Sequence, residues 1–296
     1  MLTIRYTVSL AVLAGILAWA TPSMANEAVD LLAKMRTAVH TLNYAGTLVY
    51  SQGNELSNYQ ISHTLENGTE KESVVRLAQG QGVAGENVES FSLAKFQQVQ
   101  PLMEEVYALD LGGQEFVANR SCQIVVARPR DKMRYLQRYC IEPESGMLLK
   151  YSLVDRSHRA VEQLMFTTLD IAASAQETLP APAQASAASS VPIVATPATD
   201  WVFASLPAGF QQVQDLKQDG VNGQAPIRQI ILSDGMTSVS VFIAPPGTPS
   251  ILDSIGLSAG AMNIYATEVA QHQITLVGEV PAVTLKHISE GLQYVR

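Results

Sequence analysis

The side chains that could do chemistry are few, and their spacing does not suit it. Gly80, Gly82 and Gly85 match the GxGxxG spacing that lets a backbone approach a dinucleotide pyrophosphate. Such a site also needs a strand before the turn and a helix after it. The preceding strand is weak, and Glu86-Asn87-Val88-Glu89 carries no apolar stripe, so the segment reads as a loop. The histidines His40, His63, His158, His272 and His287 form no HExxH or other close ligand pair, which gives no indication of a zinc site. His63 lies in an apolar strand and reads as a hydrogen-bonded packing residue. Serine, histidine and aspartate all occur, yet no GxSxG nucleophile elbow is present. Asn67-Gly68-Thr69 and Asn119-Arg120-Ser121 match the glycosylation sequon, a pattern frequent by chance. The residue types point to a binding protein, with no catalytic residue, cofactor or metal ligand expected.

Charge is the more informative signal. Nine basic residues lie between Arg120 and Arg159, against four acidic ones. They are read either as a contact for an anion, such as a lipid phosphate or an acidic partner segment, or as a solvated strand face. Arg128, Arg130 and Arg134 are the candidate anion or lipid contacts.

The chain opens with Arg5, an apolar run from Tyr6 to Ala20, and then Thr21-Pro22-Ser23-Met24-Ala25. This is the plan of a secretory signal peptide cleaved after Ala25, and the run is too short to span a bilayer. A soluble, exported product is expected. Without residues 1–25 the chain keeps 18 Lys and Arg against 27 Asp and Glu, a net charge of −9. That argues against nucleic-acid binding, which needs a basic footprint. The 47% hydrophobic content is enough for real cores.

Residues 172–199 are almost entirely Ala, Ser, Pro and Thr with no aromatic residue, and read as a linker. They separate a large domain (26–171) from a small one (200–296). In the large domain Asn26 is placed to cap a helix whose stripe is Ala28, Leu31, Leu32, Met35, Val39 and Leu42. From Tyr44 the period becomes two. A hairpin about Gln52-Gly53-Asn54 joins strands 44–51 and 58–65, and further strands are expected at 72–77, 103–110, 122–128, 133–141, 147–154 and 160–169. Asn67-Gly68, Gly112-Gly113 and Ser145-Gly146 are the turn signals between them. The economical fold is an antiparallel curved sheet or incomplete barrel around one helix. In the small domain, hairpins about Ser233-Asp234-Gly235 and Gln271-His272 precede a helix starting near Pro281, with Ala282, Leu285, Ile288 and Leu292 as its buried stripe, an α+β arrangement.

Cys122 and Cys140 flank Pro129-Arg130-Asp131-Lys132, so a hairpin turning at residue 131 sets them face to face. In an exported protein this predicts a structural disulfide. The same register sets Arg128 opposite Arg134, a like-charge pair that a nearby anion would relieve.

Several segments carry a resemblance. Leu42–Tyr50, Ala127–Tyr135, Glu142–Lys150 and Val161–Phe166 resemble the large domain of the RseB/MucB family. Leu206–Phe210, Leu232–Phe242, Gly260–Tyr265 and Val277–Pro281 are similar to its small domain. The resemblance implies an unclosed LolA/LppX-like barrel with an apolar concavity. It also implies a negative regulator of an envelope-stress (sigma-E type) response. Such a protein binds the periplasmic segment of an RseA/MucA-like membrane anti-sigma factor, shields it from site-1 proteolysis, and is released by lipopolysaccharide or lipoprotein acyl chains. The partner-binding residues expected are Met236, Phe242, Asn263, Tyr265 and Glu279, from segments that match the small domain. Homo-oligomers are compatible with this reading. One departure is a short stretch between the first hairpin and the cysteines, reduced to Glu70–Leu77 and the Gly80–Gly85 loop, which implies a more open wall. The other reading is a periplasmic lipid or lipoprotein carrier, which would have no need of the small domain.

Overall fold

A computed structural model describes residues 24–77, 93, 103–171, 200–218, 226–248 and 258–295. The signal segment up to Ser23, the Gly80–Gly85 loop and the 172–199 linker lie outside the described residues. The first helix, α1 (Met24–Thr41), begins two residues before Asn26. With Met24 and Ala25 present, carbonyls upstream accept the N–H groups that Asn26 was expected to cap. Its buried stripe is Ala28, Leu32, Met35 and Val39, with Leu31 and Leu42 packed beside it.

That stripe lies in the concavity of an eight-stranded antiparallel sheet. The strands are β1 (Tyr44–Gln52), β2 (Glu55–Glu66), β3 (Thr69–Leu77), β4 (Tyr107–Val117), β5 (Arg120–Pro129), β6 (Leu136–Ile141), β7 (Leu148–Val154) and β8 (Ala160–Ile171). Their order is β3-β2-β1-β8-β7-β6-β5-β4, so among the described residues β3 and β4 are the edges and the barrel stays open. Register puts Leu48, Tyr59, Phe166, Leu164, Tyr151, Tyr139 and Val125 on the concave face.

Local chemistry explains the departures from expectation. Residues 103–106 form a helical turn, α2 (Met103–Val106), and β4 starts only at Tyr107. Gly112 and Gly113 are a bulge inside β4, not a turn, because pairing with β5 resumes at Gln114. The reversal falls at Ala118-Asn119, both at positive φ as a two-residue hairpin turn requires. β6 begins at Leu136 instead of residue 133 because the chain bends through 131–134 to turn Arg134 inward.

The disulfide forms, with Cys122 and Cys140 Cα atoms 5.3 Å apart. Its register differs from the expected one by two residues. Ile124, not Cys122, lies opposite Cys140, so the bridge is diagonal, and Arg134 does not face Arg128. Elsewhere in the sheet, His63 is buried, stacked on Tyr44, with Nδ1 2.7 Å from the Leu42 carbonyl and Nε2 3.0 Å from Glu70 Oε1.

The small lobe is a five-stranded antiparallel sheet ordered β10 (Gln211–Gln218), β11 (Ile227–Ser233), β12 (Ser238–Ala244), β14 (His272–Gly278), β13 (Asn263–Val269). One face, with Ile230, Leu232, Val239, Val241, Ile274 and Leu276, is covered by α3 (Ala282–Gly291) through Leu285 and Ile288. Ala282 is exposed, whereas Thr284 is fully buried against the large lobe. A two-stranded ribbon of β9 (Trp201–Phe203) and β15 (Leu292–Tyr294) ties the ends of the lobe together. No described helix is long and apolar enough to cross a membrane.

Replacing both Cys122 and Cys140 by Ala reopens a loop of separation 18. Denaturant unfolding of the double variant under oxidising conditions is expected to show a loss of about 3 kcal/mol, and to match the reduced wild type.

Candidate functional site

The densest polar constellation among the described residues lies between the lobes. Its centre is the β11–β12 hairpin tip, Ser233 to Thr237, which is set into the mouth of the large lobe. Asp234 is fully buried, and its Oδ1 accepts the backbone N–H groups of Met236 and Thr237, both at 2.9 Å, fixing the turn. Its Oδ2 accepts Tyr107 Oη at 3.0 Å and Arg134 Nε. The side chains of Arg134 and Asp234 are both 0% exposed. Arg134 also donates to Asp131 and to the Ala208 carbonyl of the small lobe. Its guanidinium carbon lies 4.9 Å from the Phe210 ring centroid and 5.7 Å from that of Tyr107. Burial works against the Arg134 charge, but the charge and hydrogen bond of Asp234 more than offset it and hold the guanidinium above its ordinary value. Breaking such a pair from one side costs roughly 3–5 kcal/mol, because the other charge is left unpaired.

Around this centre the contacts are specific and mostly polar. Arg36 of α1 donates from Nη2 to the Gly235 carbonyl at 3.2 Å. Asn263 Nδ2 lies 3.1 Å from Tyr135 Oη and 2.9 Å from the Val280 carbonyl. Thr284 Oγ1 donates to the Met133 carbonyl at 2.6 Å, and Gln52 Nε2 to the Ala259 carbonyl at 3.1 Å. Met236 and Ala261 of the small lobe pack into the core of the large one. Two glycines permit the approach. A Cβ on Gly260 (φ +59°) would lie 2.4 Å from Gln52 Cγ and 2.8 Å from the Val161 carbonyl oxygen, and one on Gly209 (φ +80°) would lie 2.8 Å from Val106 Cγ1.

Beside its apolar core, the concave face carries a polar patch behind the hairpin. Tyr139 and Tyr151 both donate to Gln137 Oε1, and Tyr107, Glu162 and Arg36 are buried around them. Burial pushes the Tyr107, Tyr139 and Tyr151 hydroxyls well above their usual range, so they stay protonated donors. Among the described residues α1 and the hairpin tip occupy the space where an apolar concavity was expected.

The expected site residues scatter. Of the proposed partner contacts, Met236 and Asn263 are engaged in the seam, and the half-buried Glu279 accepts Thr237 Oγ1 through its carbonyl at 3.3 Å. Tyr265 packs against the core under α3, and Phe242 lies half-buried on the opposite sheet face. The anion trio needs correction, since Arg134 is buried and its anion is Asp234. Arg128 and Arg130 are both exposed, and Arg128 lies 3.9 Å from Asp110. The rest of the basic cluster is largely paired internally, with Arg120 on Glu142, Arg138 and Lys150 on Glu115, and Arg159 on Asp155. Sequence reasoning missed the seam, although Asp234 at a hairpin tip was a usable signal, as an acid in a turn with no local cation.

No metal-binding group of His, Cys, Asp and Glu occurs among the described residues. Fold and seam together define a two-lobed protein whose larger lobe is an unclosed barrel. The N-terminal domain model of MucB/RseB matches residues 27–84 and 83–187, and the C-terminal domain model matches 195–293. The chain therefore belongs to the MucB/RseB family of sigma-factor regulators. It is 25% identical to the sigma factor AlgU regulatory protein MucB of Pseudomonas aeruginosa over 97% of both chains. With the sigma-E factor regulatory protein RseB of Escherichia coli it is 28% identical over 62% of this chain and 58% of that one. The structure of a complex of MucB with MucA(peri) superposes with a TM-score of 0.69 at 21% identity, covering 91% of this chain and 99% of that one.

A Gly260→Val substitution is expected to wedge the seam apart while leaving both cores intact. Amide exchange at Gly53 and Met133–Tyr135 should accelerate, and exchange in β12 and β14 should not.

Proposed function

We propose that this chain is a periplasmic negative regulator of an envelope-stress response of the sigma-E type. It binds the periplasmic segment of a membrane anti-sigma factor and shields that segment from site-1 proteolysis. The observation that carries this reading is the match of both lobes to a regulator family, in their order and over nearly the whole chain. The superposable structure of MucB in complex with MucA(peri) supports the choice of partner. The small lobe favours the shield over a lipid carrier, because its hairpin fills the mouth of the half-barrel that a carried acyl chain would need.

Partner contact is assigned to the small lobe around Phe242, Tyr265 and Glu279, with Met236 and Asn263 reached at the seam. Phe242 offers an anchor on the sheet face opposite α3. Release by lipopolysaccharide or lipoprotein is the remaining part of the reading, with Arg128 and Arg130 as the headgroup contacts.

A pull-down with the anti-sigma factor's periplasmic segment should recover the full chain and, more weakly, residues 200–296. Binding confined to residues 26–171 would overturn the assignment. In the full chain, Phe242→Ala should weaken binding by about tenfold or more, as loss of an aromatic anchor does. Replacing both Arg128 and Arg130 by Gln should raise the lipopolysaccharide concentration needed for release. Unchanged release would return these two residues to an ordinary solvated face.

A further inference from the structure

The large lobe contributes two buried guanidinium groups and a phenol to one small volume, and the small lobe fills that volume with a single carboxylate. Arg134 Nε and Tyr107 Oη converge on the same oxygen, Asp234 Oδ2. The other oxygen is turned back onto its own hairpin, accepting the amides of Met236 and Thr237. The geometry therefore recognises a carboxylate at the first position of a tight turn, one oxygen facing outward and one folded back. Arg36 is the second guanidinium. Only 6% exposed, it uses Nη2 on the Gly235 carbonyl, while its Nε and Nη1 find no hydrogen-bond partner among the described residues. Burial without a carboxylate of its own depresses the Arg36 guanidinium below its ordinary value. Buried donors are rarely left unmet, so the Arg36 side of the volume is under-occupied by the hairpin.

We propose that Arg36, Arg134 and Tyr107 form a carboxylate receptor in the large lobe, with Asp234 as its built-in occupant. An acidic turn of a protein partner is then a competitor for the hairpin. A buried ion pair gains little net stability over its separated, hydrated parts, so the hairpin is exchangeable for a ligand of the same chemistry. A ligand whose turn presents more acceptor oxygen to Arg36 than the Gly235 carbonyl does has the advantage. Its binding would unseat the hairpin and part the lobes along the seam, each lobe keeping its own core.

The test is chemical rescue in the full chain. Asp234→Ala is expected to lower Tm by roughly 10 °C. Formate, a carboxylate small enough for the vacated volume, should restore most of that loss, and chloride at equal ionic strength should not. Formate should leave the wild type and the Asp234→Ala/Arg134→Met double variant unmoved. A cyclised peptide of residues 232–239 should bind the Asp234→Ala chain and, because it must displace the tethered hairpin, bind the wild type more weakly, and its Asp234→Asn counterpart should bind neither. Rescue no better than chloride, together with no peptide binding, overturns the proposal. If Asp234→Ala fails to fold, Asp234→Asn keeps the turn's amide acceptor and removes only the charge. Amide exchange at Tyr107 and Arg134 should then be faster than in wild type, and unchanged exchange would overturn the proposal as well. Every readout uses this chain without an anti-sigma factor, so failure here and failure of the regulatory reading are separate results.

Discussion

The pairing of Arg134 with Asp234 is the constraint around which the two lobes are arranged. Both side chains are removed from water, which is tolerated only because each keeps several partners: Asp234 has Tyr107, Arg134 and two turn amides, while Arg134 has Asp234, Asp131, the Ala208 carbonyl and two aromatic faces. Such a pair contributes little net stability compared with an apolar contact of the same size, but it is intolerant of misplacement. A shift of the hairpin by one residue would leave two buried charges unmatched. Its physical role is to select one relative placement of the lobes from the many that a weakly apolar seam would accept. The bend at residues 131–134, the late start of β6 and the insertion of Met236 all follow from it.

The same constraint changes what the half-barrel can hold. In an open sheet with edges at β3 and β4, the space not filled by α1 must be filled by solvent, a ligand or another element. Here the filler is the hairpin tip: Met236 packs on the apolar core, and the part of the wall that meets Asp234 and Gly235 carries hydroxyl and guanidinium groups. Tyr107, Tyr139, Tyr151 and Gln137 form a surface suited to receiving a polar turn and poorly suited to an acyl chain, whose CH₂ groups would displace hydrogen-bond partners that the buried phenols need. The polarity of the wall and the charge on the hairpin are two halves of one arrangement.

Much of the architecture was legible in the residues. The change of period at Tyr44, the Gly53-Asn54 turn and the apolar stripes of α1 and α3 locate elements because local sterics and burial fix them. The disulfide was legible as well, although its register was off by two residues because the bend at 131–134 shortens β6. The seam was not legible, because Arg134 and Asp234 are 100 residues apart. Nothing local to either says that its counter-charge lies in the other lobe. In sequence Arg134 clusters with Arg128 and Arg130, and the tertiary structure separates them by turning Arg134 inward. Gly209 and Gly260 have the same origin: each looks like an ordinary turn glycine until the opposing backbone is in place.

If the seam is to open and close, the protein must have a second arrangement close in free energy to the first. The two lobes meet that condition because each has a core of its own, one around Leu48, Phe166, Tyr139 and α1, the other around Ile230, Val241, Leu276 and α3. The seam between them is held by hydrogen bonds and charges that water or a ligand can replace one for one. An apolar seam of equal extent would hold more tightly and distinguish less, since any apolar surface could substitute for it. A polar seam inverts both properties: separation costs less because the freed groups are hydrated, and re-formation demands a partner that presents the right acceptor in the right place. The donors of Arg36 that the hairpin leaves unmet tilt that balance further toward exchange, and they lie on α1, the element on which the large lobe's core is built.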